Sequence, residues 1–253
     1  MLLARAELES LLRARQLDRT LTTALPLPDP LDDYAVAPTG VTALDARLGG
    51  GFPRGHLSEL VGARSSARAS LLLQTLAAAT HRGELVAIVD VLDMFDAASA
   101  AAAGVDLDRL LWIRGHVVVN PGMCRDLNQR ALEQAVKALT LVLQAGRFGV
   151  VAFDAAEAPP MALRRLPFTT WLRLQRMIEA TQTVCMLIGP EPMARSSAGL
   201  TVRLGVSDSG VWVRQTSSLF DGFDREARVI RARVRAHEEA TVALTAIAAH
   251  DVC

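Results

Sequence analysis

Lysine is almost missing from this chain. Of its 27 basic residues only Lys137 is a lysine, so a site that needs an ammonium group on a phosphate has one candidate. Cysteine is scarce too. Cys124, Cys185 and Cys253 are odd in number and form no CxxC pair, which excludes a disulfide framework or a zinc ribbon and points to a reducing compartment. The histidines, His56, His81, His116, His237 and His250, are isolated and show no metal-ligand spacing. "SSAG" and "TSS" have no paired base, which leaves no case for a serine nucleophile. No apolar run approaches the ~20 residues that span a membrane, and the opening "MLLARAELESLLRARQL" is too charged for a secretory signal. Net charge is zero, which gives no global pull toward nucleic acid or lipid. These absences predict a soluble cytoplasmic protein without a metal.

What is present is apolar residue, 51% of 253 positions, enough for a sizeable core. Leu2, Leu8, Leu11 and Leu12 recur at helical spacing and predict an amphipathic arm. "TALPLPDPLDDYAVAPTG" carries four prolines and reads as a linker. The domain reading is therefore an arm and linker over 1–38, a core over 39–236 and a helical tail over 237–253. Strands are expected at 56–61, 84–90, 109–114, 148–154 and 183–189. Helices are expected after 69, around 94–103, over 123–145 and through most of "RRLPFTTWLRLQRMIEA". Apolar strands alternating with helices imply an α/β fold, a mainly parallel sheet covered on both faces. After Gly199 the pattern turns antiparallel, with a hairpin expected at "LTVRLGVSDSGVWVRQ" and a period-two strand at 226–236.

"TGVTALDARLGGGFPRGHLSELVG" (39–62) resembles the entry to the ATP-binding core of RecA-type recombinases. "GVDLDRLLWIR" (104–114) is similar to the segment after that family's second core strand, and "VVAFD" (150–154) sits where the family has a magnesium-associated aspartate. The resemblance places a phosphate loop at "VGARSSARAS" (61–70). Such a loop needs glycines for its turn, a lysine for the terminal phosphates and a hydroxyl for magnesium. Gly62, Ser65 and Ser66 are present. Ala67 takes the second glycine position, Arg68 the lysine position and Ala69 the hydroxyl position. By the same resemblance Leu92 replaces the glutamate that activates water, with Asp93 one residue late, and Pro190 falls near the switch glutamine. Asp154 survives as a strand-end acid. These departures imply a site without ATP chemistry and without a retained cofactor, in which weak anion binding through Arg68 is the most that remains.

The degenerate site makes the chain similar to the ImuA family, RecA-like proteins of damage-induced mutagenesis. That resemblance implies ImuB and an error-prone DnaE-type polymerase as partners, with RecA and weakly held single-stranded DNA as further ones. The expected surfaces are three. Arg231, Arg233 and Arg235 share one strand face, either a basic contact surface or a solvated edge. Arg164, Arg165, Arg173 and Arg176 surround Phe168 and Trp171, a pattern that suits single-stranded DNA or a protein hot spot, or a charged outer helix face with its aromatics turned inward. The arm carrying Leu8, Leu11 and Leu12 would mediate self-association or docking, or fold back on its own core. Two other readings compete: a DNA-dependent ATPase with an atypical phosphate loop, and a division inhibitor related to SulA.

Overall fold

The structure, a computed structural model, describes residues 35–115, 125–179, 181–195, 198–205, 223–232 and 241–246. Its centre is a run of buried strands, β3 (Leu57–Gly62), β4 (Val86–Asp90), β6 (Val150–Asp154) and β7 (Val184–Gly189), and β5 (Leu110–Arg114) adds a partly exposed edge strand. With β8 (Ala198–Gly205), β9 (Phe223–Ala232) and β10 (Thr241–Ala246) they form one sheet in the order β10-β9-β8-β3-β7-β6-β4-β5. All pairs from β8 to β5 are parallel, and β9 and β10 add antiparallel strands at one edge. The α/β expectation is thus met, antiparallel end included.

Alternate residues of each strand enter opposite layers. On one side Leu60, Val86, Ile88, Ala152, Met186 and Val202 pack beneath α1 (Thr42–Leu48), α2 (Arg68–His81) and α3 (Ala97–Ala102). On the other, Leu57, Val89, Phe153 and Leu187 meet α4 (Arg125–Ala145), α5 (Pro160–Arg164) and α6 (Phe168–Ile178). A parallel sheet needs both covers, because its strands have no polar face to give to water. The crossovers return every parallel strand to the same direction, so the loops after β3, β4, β6 and β7 gather on one rim.

Several elements depart from the expectation. The linker expected through residue 38 contributes β1 (Val36–Ala37), which pairs antiparallel with β2 (Phe52–Pro53). Ala37 is fully buried there, and Gly51 is forced, because a Cβ on it would lie 2.1 Å from the Ala37 carbonyl. The helix expected in 164–180 is split by Pro167, which disfavours helical backbone at Leu166 and caps α6 instead. The helix expected in the tail is a strand where it is described: Thr241–Ala246 pairs with β9. Its β-branched Thr241, Val242 and Thr245 suit an extended chain, and the free hydrogen-bonding edge of β9 outweighs the helical preference of its alanines. The second half of the expected hairpin and the amphipathic arm lie outside the described residues.

Candidate functional site

The loop joining β3 to α2 turns on two non-glycine residues with left-handed backbone. Ser65 and Ala67 both have left-handed backbone, at φ 60° and 68°, where a side chain costs roughly 1–2 kcal/mol. Gly62 ends β3, where a Cβ would lie 2.6 Å from the Leu204 carbonyl oxygen, so glycine is required by its neighbours rather than by its own φ. Ser66 is buried, and Ala69, in the first turn of α2, is exposed. A cleft of about 340 Å³ opens beside the loop, lined by residues 65–70 with Asp154, Ala156, Glu157 and Ile188.

Arg68 is 6% exposed and does not reach outward. Its Nη1 donates to the Ala156 carbonyl at 3.3 Å and its Nη2 lies 3.7 Å from Glu157 Oε1. Desolvation lowers its pKa, while Glu157 and Asp154 oppose that shift. Arg64 pairs with the other oxygen of the same carboxylate, and that bond raises the Arg64 pKa. Asp154 closes β6 half-buried and accepts the Ala156 N–H at 3.0 Å. Burial pushes its carboxyl up to about 6, with Asp90 adding to the shift and the Ala156 N–H and Arg68 opposing it. Sequence reasoning missed Glu157, because nothing in "DAAEAPP" shows that the turn after β6 folds back over the loop.

After β4, Leu92 is buried in the core layer. Asp93, at φ 58°, turns its carboxylate onto Arg114 through two bonds of 2.7 and 2.8 Å. That pairing holds its pKa below the ordinary carboxylate range. Arg114 lies 4.6 Å from the centre of the Trp112 ring, and Trp112 Nε1 donates to Asp90 at 3.3 Å. Asp90 also accepts the N–H groups of Met94 and Phe95, at 3.0 and 2.8 Å. Pro190 follows the last residue of β7. Among the described residues no three His, Cys, Asp or Glu side chains converge as a metal site.

The arginine surfaces divide. Arg164, Arg165, Arg173 and Arg176 are all exposed, and Arg164 pairs with Glu191 at 2.6 Å. Phe168 is half-buried, but Trp171 is 1% exposed and packs edge-on against Phe153 at 6.1 Å. Trp171 therefore follows the second expectation, a charged outer face with its aromatic turned inward, and is not part of a contact surface: it shares the inward face of α6 with Leu174 and Ile178, opposite Arg173 and Arg176. Arg231 is half-buried on β9, while Arg233 and Arg235 lie outside the described residues, as do Leu8, Leu11 and Leu12. A basic pair not singled out in the sequence appears on β8 and β9, where exposed Arg203 and Arg228 stand directly opposite each other. Like charges so placed repel. Only the strand register, which no spacing reveals, brings them together.

A family model described as the RecA N-terminal domain matches residues 28–156, half of the chain. The chain belongs to the RecA family. It is 35% identical to the protein RecA of Salinispora tropica over 130 residues, 51% of this chain and 33% of that protein. It is 41% identical to the protein RecA of Bacteroides thetaiotaomicron over 86 residues, 34% of this chain and 26% of that protein. The chain thus matches about a third or less of the length of these RecA relatives. Among solved structures, a RadB recombinase shares its fold, with a TM-score of 0.56 over 82% of this chain and 94% of that one, at 18% identity.

Proposed function

We propose that this chain is a non-catalytic RecA-family accessory protein of damage-induced, error-prone translesion synthesis, of the ImuA kind. It works in the cytoplasm at the nucleoid, by contacts with an ImuB-type protein and an error-prone DnaE-type polymerase. RecA is a further partner, and single-stranded DNA is held weakly.

The observation that carries the reading is the state of the phosphate cleft. A magnesium nucleotide does not fit the residues present. The cation at the loop, Arg68, is spent on Ala156 and Glu157. Ala69 offers no hydroxyl for magnesium, and a buried leucine stands at 92. Two carboxylates, Asp154 and Glu157, line the space that phosphate oxygens would enter. With no chemistry assigned to the cleft, function passes to the surfaces. The exposed arginines of α5 and α6 and the opposed Arg203 and Arg228 are the groups available for an acidic protein face or a phosphate backbone.

The test is direct binding of the purified chain to ImuB-type protein, DnaE-type polymerase and RecA, each separately. Binding to at least one is expected. It should weaken when Arg173 and Arg176 are both changed to Glu, and deletion of residues 1–24 should abolish any self-association or RecA contact. Failure to bind all three would contradict the reading, and specific capture of the tubulin-like division protein would replace it with that of a division inhibitor.

A further inference from the structure

The contact between Glu157 and the two loop arginines has no role in sheet packing. It joins the two segments that border the cleft. Glu157 lies in the turn that leaves β6, and Ala158 N–H closes that turn on the Ala155 carbonyl at 3.0 Å. Ala155 N–H bonds the Ile188 carbonyl at the end of β7, also at 3.0 Å, so the turn is pinned to the sheet. From this fixed base the Glu157 carboxylate reaches across the cleft. One oxygen takes Arg64 and the other faces Arg68, while the carbonyl of neighbouring Ala156 takes the second arm of Arg68. The Arg64 side is solvent-exposed at 80%, whereas Arg68 is 6% and Glu157 21% exposed, so the inner pair is the less screened one.

We infer that Glu157 is a built-in occupant of the phosphate loop, a tethered carboxylate that holds Arg64 and Arg68 in place of a free polyanion and shuts the cleft to phosphates. The inference rests on the reading that the cleft holds no magnesium nucleotide, and it supplies the means. A tethered group acts at an effective concentration of millimolar or more, so a dissolved anion must displace it and also approach Asp154. The same clamp has a second effect. Ala158 and Pro159 lead from Glu157 into α5, so tying this turn to the loop anchors the N-terminus of the helix whose far end carries Arg164 and Arg165. Here its position is set by the chain itself, and the arginine face is presented at all times.

The probe is inorganic pyrophosphate without magnesium, titrated by calorimetry into the full chain and its Glu157→Gln, Glu157→Ala and Glu157→Ala/Arg68→Ala variants. Glu191→Gln, which alters a carboxylate on Arg164 away from the loop, is the control. Wild type and Glu191→Gln are expected to show no saturable binding at sub-millimolar pyrophosphate. Both single Glu157 variants should gain affinity by about tenfold or more, as loss of a tethered competitor requires, and the double variant should lose the gain. Equal binding by wild type and Glu157→Gln, or none by a Glu157→Gln protein with wild-type circular dichroism, would overturn the inference. Glu157→Gln keeps the side chain's shape, so it decides the matter even where Glu157→Ala does not fold. ATP turnover by wild type would instead overturn the reading beneath it, and the pyrophosphate comparison distinguishes the two failures.

Discussion

Ala67 holds a left-handed backbone at φ 68° immediately before α2. An L side chain there is strained by roughly 1–2 kcal/mol, and the looser unfolded chain of a glycine returns about 0.4–1 of that. Ala67→Gly is therefore expected to stabilise the protein by about 0.5–1 kcal/mol in urea unfolding, where a loss of stability would show that the loop does not hold this turn. Glu59 is the opposite case, a fully buried carboxylate on β3. It accepts the N–H groups of Met193 and Ala194 and the hydroxyl of Thr201, each at 2.7 Å. Removing it orphans three buried donors at about 1–3 kcal/mol each, so Glu59→Ala is expected to lose at least about 3 kcal/mol of stability. A loss under about 1 kcal/mol would contradict that network. Asp154 adds a pH dependence. Its carboxyl is raised from 3.8 to about 6, so the fold favours the protonated form. A carboxyl raised in this way costs nothing below its unfolded pKa, destabilises progressively as pH climbs through the folded one, and costs its full amount above that. Unfolding free energies of wild type and Asp154→Asn should diverge as pH rises from about 4 to about 6 and run parallel above, with the variant the more stable. Glu84, Asp93 and Asp96 are lowered, so their support is lost as pH falls through their ordinary values toward the folded ones, and because both proteins carry them that loss cancels in the comparison.

At the scale of elements, α6 shows one helix with two duties. Trp171, Leu174 and Ile178 face the core, while Arg173 and Arg176 face out. Trp171→Ala is expected to cost about 3–5 kcal/mol through the cavity it leaves, whereas changing Arg173 and Arg176 to Glu should leave the unfolding midpoint nearly unchanged and reduce partner binding. Equal losses of stability from both changes would contradict this division of faces. The same helix shows what a sequence can carry. Its amphipathic period is a local property, so the element was legible while its start at Pro167 was overrun, and the choice between the two readings of Trp171 depended on where Phe153 lies across the layer. Strands β4, β6 and β7 were legible because a run of apolar residues with no polar face has few places to go except the centre of a parallel sheet, whereas β3 carries a buried Ser58 and Glu59 that no apolar run announces. The tail was not, since an alanine-rich stretch with interspersed Thr and Val suits helix or strand, and only the open edge of β9 decided. Glu157 was invisible for a related reason: its partners lie 89 and 93 positions away, at Arg68 and Arg64, and only the assembled sheet brings them together.

At the scale of the whole molecule, the chain keeps the scaffold of a RecA-family core and changes what the scaffold holds. The rim where β3, β4, β6 and β7 end still brings together a phosphate-type loop, a strand-end aspartate and the residues after β4. Ala69 and buried Leu92 offer no hydroxyl or carboxylate beside that loop and strand, and the loop cations Arg64 and Arg68 are tied to Glu157. Stability and shape of the core do not depend on a nucleotide in this account, and the arginine surfaces around the rim are fixed rather than switched. The most direct test is ATP turnover by the purified chain with magnesium, measured with and without single-stranded DNA. The account predicts none in either condition. Turnover stimulated by DNA would contradict it and make the cleft of Arg68 and Asp154 a working site.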